Sequence, residues 1–124
     1  MTGARIPITV RVEGLPDVDG ELYRFAAPLT VAEFVKRMPV EGFVARWPAA
    51  VYILTDVQRG VEKTTPKLKA GDIFYWPPER VFGIALAEHA PRSQTLKIGS
   101  VGEGYAVVEK ARVGSRMRVF LKVS

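Results

Sequence analysis

The chain has 124 residues, 48% hydrophobic and 25% charged, which fits a single globular domain and excludes a disordered chain. With no Cys and one His, it can form no disulfide, thiolate metal site, Cys nucleophile or His-rich metal centre. The net charge of +5 raises nucleic acid and other anions as partners, yet the Lys and Arg residues form no long basic block, so solvated strand faces are the simpler reading.

Seventeen residues are Val, which tilts the class toward β. The first ten residues, MTGARIPITV, lack the apolar core of a signal peptide. No run approaches the ~18 apolar residues of a membrane helix, so a cytoplasmic protein is expected. Asn is absent and nine residues are Pro, tendencies of proteins from hot-growing prokaryotes.

Residues 6–13 alternate, with Ile6, Ile8, Val10 and Val12 on one face, and predict a half-buried strand. Pro7 places its start at an edge or a strand beginning. Asp17, Asp19 and Glu21 do not complete the spacing of a calcium loop, so a turn leading into a strand over 21–26 is expected. Residues 30–38 read as the clearest helix. Thr30 and Glu33 have capping-box spacing, and Leu29 and Phe34 the spacing of a hydrophobic staple. Val31, Phe34, Val35 and Met38 make one apolar face, and Pro39 stops the helix.

Two strand-like pieces, 42–47 and 51–55, are broken at Pro48. Arg46 beside Trp47 makes either a small recognition surface or, more commonly, an Arg stem covering apolar surface. Residues 56–66 are polar and read as a loop.

The stretch 68–87, LKAGDIFYWPPERVFGIALA, organises the rest. Gly71 marks a turn, and 73–76 is aromatic and β-branched. Pro77 and Pro78 cannot donate to a ladder, so the strand bends there and resumes over 80–87 as the second arm of a hairpin. Phe82, Ile84 and Leu86 share one face; Val81, Gly83, Ala85 and Ala87 share the other. Both faces are apolar, so both should be covered, and Gly83 suggests a bend or a close approach of another group.

Residues 88–95 form a loop holding His89 beside Pro91, Arg92 and Ser93. An acid, base or ligand role for His89 competes with simple solvation. A short strand follows over 96–101; Gly99, Gly102 and Gly104 lack nucleotide-loop spacing. A short helix is expected over 106–112, with Val107, Val108 and Ala111 inward and Gly114 as its stop. The last strand, 117–123, should turn Met117, Val119, Leu121 and Val123 inward, and Arg116, Arg118, Phe120 and Lys122 outward. Strands dominate, and two helices are available to plug the ends of a barrel.

The motif Leu68-Lys69-x-Gly71-Asp72-x-x-Tyr75-Trp76-Pro77-Pro78 resembles a family of small bacterial and archaeal proteins with a cyclophilin-like fold. The likeness takes in the helix at 30–38, Trp47…Tyr52, Pro91-x-Ser93 and the final strand. Glu79 and Glu88 stand where that family's pattern suggests Gly, which leaves the two loop shapes open. The resemblance implies a mainly β protein, a closed or nearly closed barrel capped by one clear and one short helix, with a cleft on its outer surface.

Three functions follow. The first is a module that binds a small molecule or peptide in a cleft walled by Trp76, Pro77, Pro78 and Phe82, with Arg46, Trp47, Tyr52 and His89 nearby. The second is a peptidyl-prolyl isomerase, as in true cyclophilins, with Arg46 as the donor to the twisted amide; the Phe-His-Arg and Gln-Gly-Gly-Asp segments of true cyclophilins are missing. The third is nucleic-acid binding through Arg116, Arg118 and Lys122. No GxSxG is present to suggest a hydrolase, and no metal or cofactor is expected. Self-association is left open.

Overall fold

The computed structural model describes residues 3–123. Strand β1 (Arg5–Val12) buries Ile8, Val10 and Val12 on one face, as its alternation requires. Pro7 lies one residue before the β1 ladder with the last strand begins. Strand β2 (Val18–Tyr23) starts and ends about three residues earlier than its sequence pattern suggested. The chain turns after Tyr23, with the Ala26 N–H on the Tyr23 carbonyl at 3.1 Å, to reach the next helix.

Helix α1 (Pro28–Arg37) starts on a proline, whose fixed φ suits a first helical position. The expected capping box does not form. Its N-terminus is capped from a distance instead: Glu62 accepts the Leu29 and Thr30 N–H groups at 3.2 and 2.7 Å and the Thr30 hydroxyl at 2.6 Å. Glu33 is turned to Arg37, one helical turn on. The staple is absent too, since Leu29 is 57% exposed. The apolar face is as expected, with Val31 and Phe34 fully buried.

Residues 40–47 form two short strands, β3 (Val40–Phe43) and β4 (Ala45–Trp47). These are followed by β5 (Ala50–Leu54), β6 (Asp72–Trp76), β7 (Val81–Ala85) and β8 (Leu96–Ser100). A one-turn 3-10 helix leads into α2 (Tyr105–Val108), shorter than expected, and β9 (Arg116–Leu121) ends the fold. All pairings are antiparallel, in one sheet of order β3-β9-β1-β2-β8-β6-β7-β5-β4.

The terminal strands β3 and β4 are consecutive in the chain. Between them, the Val44 N–H meets the Ser115 carbonyl at 2.8 Å, and the Val44 carbonyl accepts from Gly114 at 2.9 Å. One segment thus pairs with β9 and then with β5, drawing the sheet into a nearly closed barrel. The seam is tight: a Cβ on Gly42 would sit 2.9 Å from the Leu54 carbonyl oxygen.

The barrel interior holds Ile8, Leu22, Val51, Ile53, Ile73, Tyr75, Phe82, Ile84, Leu96, Ile98, Met117 and Val119, none of them exposed. Each such side chain contributes roughly 1.5–3 kcal/mol by leaving water. α1 plugs one end, with Phe34 edge-on to Tyr75 at 5.4 Å and to Phe82 at 5.5 Å. The inward face of β9 stops at Val119. Leu121 and Val123, expected inside, are 41% and 87% exposed: the pairing of β3 with β9 reaches only to Val119, and Val123 lies beyond the end of β9. No helix among the described residues is long and apolar enough to cross a membrane.

Candidate functional site

β6 and β7 form the central hairpin, in register from Ile73↔Ile84 to Trp76↔Val81. Pro77–Glu79 makes one turn of 3-10 helix, and Arg80 closes it in the left-handed region at φ 56°. The prolines therefore shape the corner but do not line the hollow beside it.

Alternation gives this hairpin two apolar faces. Ile73, Tyr75, Phe82 and Ile84 enter the barrel; Phe74, Trp76, Val81, Gly83 and Ala85 face out. Trp47, Ala50 and Tyr52 face the same way from β4 and β5, so the barrel carries a second apolar cluster on its outer surface. Gly83 sits at its centre, between Phe74 on β6 and Tyr52 on β5. Because Gly83 has no side chain, the Phe74 ring can lie on its backbone. Trp47 stacks near Phe74 with centroids 6.0 Å apart, tilts on Tyr52 at 4.4 Å and meets Trp76 edge-on at 5.7 Å.

The loop 88–95 covers this cluster. Leu68 and His89 exchange backbone hydrogen bonds of 2.9 and 3.0 Å, which hold the loop to the hairpin's approach. The Trp76 indole N–H donates to the Ser93 carbonyl at 2.9 Å, and the Thr95 hydroxyl to the Arg92 carbonyl at 2.6 Å. Arg92 is thereby set above the aromatics, its guanidinium carbon 4.3 Å from the Trp47 ring centre and 5.2 Å from that of Trp76. His89 Nδ1 lies 2.8 Å from the Ala87 carbonyl oxygen. Beside them opens a cleft of about 270 Å³, lined by Trp47, Pro48, Phe74, His89, Pro91 and Arg92 among others.

Of the residues picked from sequence, the structure gathers Trp47, Tyr52, Trp76 and His89. It separates the other four: Pro77 and Pro78 form the corner and do not line the cleft, and Phe82 and Arg46 lie elsewhere. Phe82 is 0% exposed and belongs to the barrel interior, because it stands on the opposite face from Trp76. Arg46 alternates with Trp47 and reaches the end of α2, donating to the Glu109 carbonyl and to the Ala111 carbonyl at 3.0 Å. Arg92 and Phe74 were missed. Strand parity relative to Trp76 points to Phe74, whereas Arg92 comes from a loop 16 residues beyond Trp76 and nothing local marks it.

Two polar groups tie the preceding loop to the barrel plug. The Tyr75 hydroxyl donates to the Val57 carbonyl at 2.7 Å and accepts from Arg59 N–H at 3.3 Å; burial pushes its pKa up. Burial also pushes Glu62 up, but hydrogen bonds from Thr30 and Leu29 outweigh it, and its carboxyl lies below the usual range. A second hollow, about 320 Å³ and lined by Tyr23, Phe25, Lys63 and Lys97 among others, opens where the pairing of β2 with β8 ends.

Among the described residues, no three His, Asp or Glu side chains converge to hold a metal. The acidic run at 17–21 is dispersed into ion pairs: Asp17 with Arg11 at 2.9 Å, Asp19 with Lys122 at 2.9 Å and Glu21 with Arg5 at 3.2 Å.

A nearly closed, mainly β barrel plugged by a helix is consistent with the cyclophilin-like class. The chain belongs to the cyclophilin-like family, whose model matches residues 5–120. Its fold is similar to the solution structure of the hypothetical protein AF2241 from Archaeoglobus fulgidus. The TM-score is 0.75 at 21% identity, over 98% of each chain. No curated protein matches the sequence.

Proposed function

We propose that the protein is a binding module that takes a small molecule or peptide in the cleft between the outer aromatic face of β4–β7 and the loop 88–95. The observation that carries this is the position of Arg92, held over Trp47 and Trp76 at the edge of an apolar hollow. An apolar lining with a few placed polar groups is the usual makeup of a small-ligand site. The arrangement also supplies its own assay. The chain has two Trp residues; Trp47 lines the cleft and Trp76 packs edge-on against it, so tryptophan fluorescence reports on this part of the barrel. Titration with a fragment set and short proline peptides should shift that emission saturably in the wild type and not in Trp47→Ala. No saturable change with any probe would sink the reading.

Prolyl isomerisation is the second reading. It needs an apolar slot beside a guanidinium, and at this cleft the guanidinium is that of Arg92, not Arg46. A proline-peptide assay with no acceleration over background, or with equal rates in Arg92→Ala, removes it. The nucleic-acid reading gains no support from the β9 face, where Arg116 pairs with Glu41 at 3.4 Å and Lys122 with Asp19.

A further inference from the structure

We infer, building on the binding-module reading, that the occupant of the outer cleft carries a single carboxylate on a compact apolar or aromatic body. Among the described residues five arginines place the guanidinium carbon over an aromatic ring, and Arg92 differs from the rest. Arg5 lies over Tyr23 and pairs with Glu21. Arg11 lies over Phe120 and pairs with Asp17. Arg116 lies over Phe43 and pairs with Glu41. Arg118, also over Phe120, faces Glu41 across the β3–β9 ladder. Arg92 alone has no carboxylate opposite it among the described residues. No Asp or Glu lines the cleft, and Glu88, the nearest in sequence, is held by Lys67 at 2.7 Å.

The chemistry of the guanidinium says what fits there. Its carbon lies over both indole rings, while its N–H donors lie in its plane, at the edges. That edge matches a carboxylate, which accepts two parallel hydrogen bonds from it. The loop is pinned through Ser93 and Thr95, so the group is held in place before a ligand arrives. One guanidinium, with no Lys or second Arg lining the cleft, suits one monovalent acid better than a phosphate. At about 270 Å³ the cleft lies just below the usual span of ligand pockets, roughly 300–1,000 Å³, and so suits a small occupant. It has room for a ring with a short acid arm. A free organic acid and the C-terminus of a peptide present the same group.

The test uses the full chain and matched probes, followed by tryptophan emission. Phenylacetate is set against phenylacetamide, and N-acetyl-Phe-Ala against its C-terminal amide. The acid of at least one pair should bind about tenfold tighter than its amide, with an advantage that shrinks as salt rises. Arg92→Gln should erase that advantage, while Arg116→Gln, which removes the same charge elsewhere, should keep it. Tight binding by the peptide acid alone assigns the site to peptide C-termini; binding by phenylacetate assigns it to small acids. Equal binding of acids and amides overturns the inference and leaves the cleft a binding site. An acid preference that survives in Arg92→Gln overturns it as well. Absence of binding by all four probes, and by the wider fragment set, overturns both the inference and the reading beneath it.

Discussion

Phe74 rests against the backbone of Gly83 so closely that a Cβ at position 83 would lie 2.6 Å from the ring's Cε1. The two residues are cross-strand partners on β6 and β7, so their backbones cannot separate without unpairing the hairpin and only the ring can give way. Gly83→Ala should therefore displace the ring and cost about 1–3 kcal/mol, the usual range for overpacking. Phe74→Ala alone should also destabilise, through the lost apolar contact. The two costs should not add: in the double mutant the new methyl fills part of the space the ring left. A chemical-denaturation cycle that gave strictly additive losses would show that the contact is not the cause.

Arg46 makes a different prediction from the one its sequence neighbourhood suggested. It bridges from β4 to carbonyls at the end of α2, where helix carbonyls lack partners. Arg46→Ala should cost roughly 1–3 kcal/mol in thermal or denaturant stability, by leaving those acceptors without their charged donor. It should leave ligand-induced changes in tryptophan emission untouched. A loss of cleft binding without a loss of stability would reverse that assignment.

Much of the barrel could be read from alternation, because burial on one face writes a period of two into β1 and the first half of β9. The same parity separates Trp76 from Phe82, so the exclusion of Phe82 from the cleft was already legible once the hairpin was recognised. Three things were not. The cap of α1 comes from Glu62, some thirty residues downstream, and no local spacing encodes a partner brought in by tertiary folding. The pairing of Arg92 with the two indoles depends on how the loop 88–95 folds back over the sheet. The side of the strand that Arg46 takes is fixed by alternation, but which side faces the cleft is decided only by the outer cluster around Gly83.

Trp76 anchors that loop through the hydrogen bond to Ser93. Trp76→Phe keeps an aromatic wall and removes the donor. The Ser93 carbonyl then has no indole partner, and the loop should open more often. Amide hydrogen exchange over residues 89–94 should speed up several-fold, with the central strands unchanged. Unchanged exchange in the loop would mean that the Leu68–His89 bridge holds it without help from the indole.

Glu62 gives the fold an acid-sensitive joint. Its carboxylate accepts three hydrogen bonds from the first turn of α1, two from backbone N–H groups and one from the Thr30 hydroxyl. It also sits where the helix dipole favours negative charge. With a folded-state pKa below its ordinary value of 4.5, the group binds protons more weakly folded than unfolded. Stability therefore rises with pH across that window. Its contribution is fully present above about pH 4.5 and is lost as pH falls through the lower folded value. Glu62→Gln keeps the shape but leaves one acceptor facing three donors, and should cost about 1–2 kcal/mol at neutral pH. Asp17 and Glu33 are also lowered, through hydrogen bonds from Arg11 and Arg37, so the wild type will lose stability in acid for more than one reason. The difference between wild type and Glu62→Gln isolates the one group. Melting curves of the two proteins should lie apart at pH 7 and draw together toward pH 3; curves that stay equally far apart would mean that the carboxylate's charge contributes nothing to the cap.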